Sequence, residues 1–201
     1  VRNRINSFNK TIKVDSDKSL SIRGFLIGSI CNNVSIISNV LESEDVISTI
    51  RACKKLGVKI VRIKPQTYKI SGKGLGSLKV KKNSEINFGN SGTLARLLIG
   101  ILSTTPNIQV KIRGDHSLNK RSMKKIINLM SNFGANFLPK KKYKFPLTLI
   151  SSNMPVGIDY DAGISAQLKS AVILAALNSY GDTSIRELKK YILIRIYIFF
   201  L

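Results

Sequence analysis

The sequence predicts a mixed α/β (α+β) fold built from a repeated βαβαββ unit. Segments with helical periodicity alternate with short β-branched segments, and the order helix, strand, helix, strand, strand occurs twice. The helix starts near Lys18, Asn90 and Ser165 are spaced by roughly 70–75 residues, which is longer than most solenoid periods. Because each unit must bury one face, we expect the helices to face inward and the sheets outward. The chain is predicted to hold two complete units and part of a third, over 15–84, 85–155 and 156–187.

The first unit opens with a helix that follows a short alternating strand within 1–14. Residues 15–17 offer caps for this helix, and its buried side is predicted to contain Phe25, Leu26, Ile27 and Ile30. The remaining elements of the unit are predicted in the order strand, helix, strand, strand, at 34–37, 46–56, 58–63 and 68–70.

The second unit repeats this order. Small residues over 89–93 lead into a helix over 90–104, and a polar loop is predicted over 114–121. The other elements are a strand, a helix and two strands, at 108–112, 123–133, 135–138 and 147–150. A third unit opens with a helix from Ser165 to about residue 177 and a strand over 183–185.

The residues after Glu187 do not follow the repeat. Segment 188–201 has no caps, no turns and no alternation that suits a half-buried strand. We therefore expect this tail to be a non-native terminus, such as the product of a frameshift or of a truncated reading frame.

The composition is that of a folded globular protein. At 201 residues the chain can bury a full core, and 43% of its residues are apolar while 22% are charged. The formal net charge of +22 indicates either an anionic partner or substrate, or a biased use of lysine. The excess is spread along the chain, without clustered arginines and interleaved aromatic residues. The second interpretation is therefore favoured, and no nucleic-acid partner is expected.

Metal and membrane functions find no support in the sequence. Cys31 and Cys53 lie in apolar patterns, and His116 is the only histidine. Without a C-x-x-C pair or Cys/His ligand spacing, we expect no metal ion and no cofactor. The N-terminal residues lack the apolar core of a signal peptide, and segment 191–201 is too short to span a bilayer. A cytoplasmic protein without a membrane partner is expected.

The three helix starts are predicted to meet at one anion-binding surface. Free N–H groups and the helix dipole favour an anion at such starts. Lys18 and Arg23 lie in the first turns of the first helix, where cations oppose the dipole unless an anion is bound. The predicted binding residues supply cations, hydroxyls, amides and bare backbone, which suit a phosphate and a carboxylate: Lys18, Ser19, Arg23, Asn90, Gly92, Arg121, Ser165 and Gln167.

No nucleophile–base pair is evident beside this surface. The acidic residues near the helix starts are interpreted as caps or loop residues, namely Asp17, Asp45, Asp115 and Asp161. We therefore predict a substrate-binding unit with no catalytic acid or base of its own.

Four motifs resemble those of the EPSP synthase (3-phosphoshikimate 1-carboxyvinyltransferase) family. Residues 17–23, D-K-S-L-S-I-R, resemble its D-K-S-x-S-x-R opening, and 89–96 resemble its G-N-[SA]-G-T-x-x-R stretch. Residues 114–123 are similar to its G-D-x-S-L-x-x-R-P-M segment, with Ser122 in place of proline. Residues 165–170 are similar to its S-A-Q-x-K-S form, and the whole resemblance covers 12–187.

The resemblance implies a fold, a reaction and a role for each site residue. The fold would be an inside-out barrel domain like those of enolpyruvyl transferases. The enzyme would transfer the enolpyruvyl group of phosphoenolpyruvate to shikimate 3-phosphate, in the shikimate pathway to chorismate and the aromatic amino acids. Lys18 would contact both substrates, and Gln167 would lie between them. Asn90 would support the loop. Shikimate 3-phosphate would be held by Ser19, Arg23 and Ser165, and phosphoenolpyruvate by Gly92 and Arg121.

The resemblance also implies that much of the enzyme lies outside this chain. Members of the family are monomers of two domains with three units each, and their catalytic Asp and Glu lie in the second half. The N-terminal strand within 1–14 would belong to that second domain. We therefore expect 15–187 to be the N-terminal domain of a truncated enzyme that binds substrate and is inactive alone.

Two alternatives remain open at this point. A UDP-N-acetylglucosamine enolpyruvyl transferase is disfavoured, because Ser19 rather than asparagine follows Lys18. A basic nucleic-acid-binding module is kept open by the small units and the charge of +22.

Overall fold

The chain forms a mixed α/β fold in a computed structural model that describes residues 15–81, 83–187 and 194–196. The strands of these described residues lie in three sheets, and helices pack against them. The strand predicted within 1–14 lies outside the described residues. No helix in the described part of the chain is long and apolar enough to cross a membrane.

The first unit contains the five predicted elements between residues 18 and 71. They are helix α1 (Lys18–Ile30), strand β1 (Val34–Ile37), helix α2 (Glu44–Lys55), and strands β2 (Lys59–Lys64) and β3 (Thr67–Ser71). The strands form an antiparallel sheet in the order β1-β3-β2. The Asp17 side chain caps α1 by accepting a hydrogen bond from the Leu20 N–H at 2.6 Å, as predicted.

The second unit shows the complete βαβαββ order. It comprises β4 (Glu85–Asn87), α3 (Gly92–Thr104), β5 (Gln109–Arg113), α4 (His116–Lys120), α5 (Lys124–Asn132), β6 (Asn136–Leu138) and β7 (Leu147–Ile150). In the sheet order β4-β5-β7-β6, β4 runs parallel to β5 and the other pairs are antiparallel. Strand β4 was not predicted, because three residues are too few to show alternation. The predicted loop over 114–121 contains the short helix α4, which Asp115 caps.

The third unit contains β8 (Asp159–Ala162), α6 (Ala166–Ala176), β9 (Thr183–Glu187) and β10 (Ile194–Ile196). Strand β8 runs parallel to β9, and β10 pairs antiparallel with the other edge of β9. Strand β8 was not predicted, because it contains two aspartates and aspartate is depleted in strands. Strand β10 lies within the tail 188–201, for which no strand was predicted because the sequence shows no alternation there. The expectation that this tail is non-native stays a prediction. Strand β10 lies beside β9 as β7 lies beside β5, in the position of the repeat's fourth strand.

The buried face of α1 differs from the prediction at one residue. Phe25, Leu26 and Ile30 are buried as expected, but Ile27 is 50% exposed. Ile27 lies four residues after Arg23 and so shares its face of the helix. Both residues line a shallow groove between α1 and α6, and this groove leaves Ile27 open to solvent.

Helix α3 is the most buried helix of the described chain and packs closely along α6. A Cβ atom at Gly100 would lie 2.5 Å from the backbone oxygen of Ala171 on α6, so only glycine allows this approach. The two helices also touch at their starts, where the Gln167 side chain donates to the Thr93 hydroxyl at 2.9 Å. These two contacts set the helices side by side in the same direction, with their N-termini adjacent.

Replacing Gly100 by alanine tests this packing. We expect Gly100→Ala to lower the free energy of unfolding by about 1–3 kcal/mol, because the added methyl group must push α3 away from α6. Urea unfolding measures the change. Gly163→Ala is the matched control, since a Cβ there would meet nothing within 4 Å. Equal unfolding midpoints for the two variants would contradict the close helix contact.

Removing residues 188–201 tests the position of β10. We expect the β9 amides that point toward β10 to exchange hydrogen faster in a chain ending at Glu187, because their strand edge becomes open to water. The β9 amides that point toward β8 should keep their protection and serve as an internal control. Unchanged exchange at both sets of amides would show that β10 does not cover this edge.

Candidate functional site

The start of α3 forms the centre of a candidate anion-binding site. The Ser91 side chain caps this helix by accepting a hydrogen bond from the Leu94 N–H at 3.2 Å. The first turn of α3 contains no acidic residue, so no carboxylate of that turn offsets its dipole. A Cβ atom at Gly92 would lie 2.7 Å from Nη1 of Arg96. Glycine at this position therefore allows a guanidinium group to lie against the helix start.

Two arginines lie beside this helix start. Arg96 donates from Nη1 to the backbone oxygen of Gly92 at 2.9 Å. Arg121 donates from Nη2 to Oδ1 of Asn90 at 2.9 Å and to the Ser117 hydroxyl at 3.4 Å. Burial, and secondarily the charge of Arg121, lowers the pKa of Arg96 below its usual value. Like charges at the positive end of a helix repel one another, and a bound anion would relieve that repulsion.

The start of α6 lies next to that of α3. Ser165 caps α6 by accepting a hydrogen bond from the Leu168 N–H at 3.4 Å, and Gln167 bridges to Thr93 on α3. A cavity of about 280 Å³ opens between these elements, lined by Arg96, Ser122, Lys125, Ile126, Ser165, Gln167 and Leu168. The lining includes two cations and no carboxylate, so this cavity suits a negatively charged group.

Helix α1 reaches the site through Arg23. Nη1 of Arg23 donates to the hydroxyl of Ser170 at 2.7 Å, and Ser170 lies in the first half of α6. Lys18 instead forms an ion pair with Asp45 on α2, with 3.0 Å between Nζ and Oδ2. The Ser19 hydroxyl has no hydrogen-bond partner among the described residues. Within that part of the chain, no hydrogen bond or ion pair links Lys18 or Ser19 directly to α3 or α6.

The structure therefore brings most of the predicted binding residues together and leaves two apart. One group surrounds the adjacent starts of α3 and α6 and comprises Asn90, Gly92, Arg121, Ser165 and Gln167. Arg23 joins this group through α6, whereas Lys18 and Ser19 lie at the start of α1.

The predicted binding set left out two cations of the cavity, Arg96 and Lys125, although Arg96 ends the motif over 89–96. Arg96 lies one helical turn after Gly92, and that spacing is a signal that could have identified it. Lys125 follows no motif and was not identifiable among the many lysines of the chain.

The interpretation of the acidic residues is confirmed at two positions and wrong at two. Asp17 and Asp115 are helix caps. Asp45 is instead the second residue of α2, whose N-cap is Ser43, and it is paired with Lys18. Asp161 lies in β8, where Arg186 donates to it at 3.0 Å. Among the described residues, no cluster of three or more His, Cys, Asp or Glu side chains is arranged to hold a metal ion.

Fold and site together define a mixed α/β protein in which the starts of two helices lie side by side, with Arg96 and Arg121 next to them. The chain belongs to the EPSP synthase (3-phosphoshikimate 1-carboxyvinyltransferase) family, whose model matches residues 3–201.

Individual relatives carry the same name. The chain is 40% identical over 186 residues to 3-phosphoshikimate 1-carboxyvinyltransferase of Vesicomyosocius okutanii subsp. Calyptogena okutanii, covering 92% of this chain and 42% of that relative. It is 41% identical over 190 residues to the enzyme of the same name from Thermodesulfovibrio yellowstonii, covering 92% of this chain and 44% of that one. Its fold matches EPSP synthase from Acinetobacter baumannii with a TM-score of 0.81 and 34% identity, over 89% of this chain and 41% of that structure. The chain thus spans about two fifths of the length of the relatives it matches.

Replacing Arg121 by glutamine tests the anion site. Without anions, we expect Arg121→Gln to unfold at the same or a higher temperature than the parent chain, because repulsion of Arg96 is removed. Inorganic phosphate at ten times its dissociation constant should stabilise the parent by about 1.4 kcal/mol, and the variant by less. Thermal unfolding with and without phosphate measures both effects.

The matched control for this experiment is Arg51→Gln, which removes the same charge from an exposed position on α2. This control should respond to phosphate as the parent does. Equal phosphate-induced shifts in the Arg121 and Arg51 variants would contradict an anion site at the start of α3.

Proposed function

We propose that this chain forms the substrate-binding part of an enzyme that transfers the enolpyruvyl group from phosphoenolpyruvate to shikimate 3-phosphate. The products are 5-enolpyruvylshikimate 3-phosphate and phosphate. The main support is the pairing of the α3 and α6 starts by Gln167 and Thr93, beside Arg96 and Arg121. Both substrates carry a phosphate group, and phosphoenolpyruvate also carries a carboxylate. Such anions need arginines and free helix N–H groups of this kind.

In this proposal each substrate takes a different part of the site. Phosphoenolpyruvate binds at Gly92 and Arg121, and the 2.9 Å bond from Arg121 to Asn90 keeps this guanidinium at the α3 start. Gln167 lies between the two substrates. Lys18 contacts both of them. Shikimate 3-phosphate binds to Ser19, Arg23 and Ser165, for which the bond from Arg23 to Ser170 sets the position of α1 relative to α6.

We also propose that catalysis requires residues beyond those described. The cavity between α3 and α6 has no carboxylate or histidine in its lining, so it lacks the acidic groups that the resemblance assigns to proton transfer in the second half of the family's enzymes. The purified chain should therefore release no phosphate above background in a coupled assay with both substrates. Turnover at a rate typical of enzymes would contradict this part of the proposal.

We also propose how the units are arranged, which oligomeric state the protein has and where in the cell it works. The units form an inside-out barrel, with helices such as the buried α3 inside and the sheets outside. The protein works as a monomer in the cytoplasm without a nucleic-acid partner. The even spread of its lysines supports this last point, since it leaves no clustered arginine and aromatic surface.

Titration with shikimate 3-phosphate tests the proposed function. We expect backbone NMR shifts at Ser19, Arg23 and Ser165, and a much weaker response to shikimate, which lacks the phosphate. Arg23→Gln should weaken binding about ten- to hundredfold, as expected for the loss of a charged hydrogen bond. Arg51→Gln again serves as the control for lost charge.

Two other ligands separate the rival interpretations. A stronger response to UDP-N-acetylglucosamine would favour the other enolpyruvyl transferase. Salt-dependent binding of unrelated oligonucleotides, without any response to shikimate 3-phosphate, would favour a nucleic-acid-binding module.

A further inference from the structure

The first turn of α2 lies between two parts of the candidate site. On one side, Oδ2 of Asp45 is 3.0 Å from Nζ of Lys18 at the start of α1. On the other side, the next turn of α2, which begins at Ser48, lies against the loop that leads into α3. A Cβ atom at Gly89 would lie only 2.7 Å from the Ser48 hydroxyl. The start of α2 therefore lies between the start of α1 and that of α3. Among the described residues, no direct hydrogen bond or ion pair joins Lys18 to α3.

Asp45 is held firmly in this position. Its side chain is 19% exposed, and its backbone oxygen accepts a hydrogen bond from the Thr49 hydroxyl at 2.9 Å. Thr49 is fully buried, so the turn is anchored in the core. The neighbouring acid, Glu44, is exposed and forms no ion pair among the described residues. The two acids thus share a helix end and a charge but differ in their contacts.

Lys18 needs such a partner to keep a defined position. It is the first residue of α1, its side chain is 51% exposed, and the first turn of α1 has no acidic residue. A long, exposed lysine side chain loses rotamer freedom when it binds a ligand. An ammonium group has three donors, so a bond to Asp45 leaves two for a second acceptor.

We propose that Asp45 is a positioning residue, which holds the Lys18 ammonium for a phosphate-bearing ligand and makes the first turn of α2 part of the site. This inference rests on the proposed function for the identity of that ligand. It replaces the interpretation of Asp45 as a cap, and it explains how Lys18 belongs to a site centred on α3 and α6.

The test compares Asp45→Asn with Glu44→Gln in titrations with inorganic phosphate and with shikimate 3-phosphate. Both variants remove one negative charge from the first turn of α2, so Glu44→Gln controls for the loss of a charge near that helix start. Glu44→Gln should bind either ligand as tightly as the parent or slightly more tightly. Asp45→Asn should bind roughly three- to tenfold more weakly, because Lys18 must then be ordered by the ligand itself.

A double-mutant cycle with Lys18→Gln separates positioning from a general structural effect. Asp45→Asn should have no further effect on affinity in the Lys18→Gln background. Asp45→Asn should unfold at a slightly lower urea concentration than Glu44→Gln, because it also loses the ion pair with Lys18. The inference is overturned if Asp45→Asn binds as tightly as Glu44→Gln, or if it weakens binding equally in both backgrounds.

The two ligands keep this inference distinguishable from the proposed function. If shikimate 3-phosphate binds no better than phosphate but the coupling of Asp45 and Lys18 persists, the proposed function fails and the positioning role stands. If shikimate 3-phosphate binds specifically without that coupling, the positioning role of Asp45 fails and the proposed function stands. A chain that binds neither ligand contradicts both.

Discussion

The close contact between α3 and α6 is the constraint on which the candidate site depends. Gly100 lets the backbone of α3 approach Ala171, and a larger residue would separate the helices by more than a side-chain adjustment could absorb. Because the helices run in the same direction, their positive ends lie together rather than at opposite sides of the domain. Two dipoles then act on one cavity, and the bond from Gln167 to Thr93 fixes the distance between them. The close packing of α3 against α6 in the core thus places two positive helix ends beside one cavity.

The distribution of the few acidic residues keeps that cavity positive. The chain has 11 acidic residues against 33 Lys and Arg. In the described part of the chain, most of these acids lie in caps or ion pairs away from the cavity. Glu42 binds Arg62 and Tyr68, and Glu85 binds Lys111 and Arg113. The hydrogen bond from Tyr68 and the neighbouring Arg62 lower the pKa of Glu42. This carboxylate binds Arg62 on β2 and Tyr68 on β3, and so links two strands of the first sheet. No carboxylate therefore remains to compete with an anion in the cavity lining.

Periodicity and capping were sufficient to predict the elements that bury one face. The helices around Leu97 and Ile126 and the strand pairs of the first two units were recognisable, because burial imposes a pattern on the sequence. The short strands β4 and β8 escaped prediction, since their identity depends on parallel neighbours more than 20 residues away. The residues that we propose to bind substrate at the starts of α3 and α6 were selected from their motifs. The ion pair of Lys18 with Asp45 was not recognisable, because a contact between two separate helices produces no periodic pattern in the sequence.

Glu187 ends strand β9 and forms an ion pair with Lys169 on α6. This pair ties the sheet of β8, β9 and β10 to the helix whose start holds Ser165 and Gln167. The opposite edge of the same strand is paired with β10. A change at Glu187 would therefore act at once on the end of β9 and on the helix that begins beside Ser165.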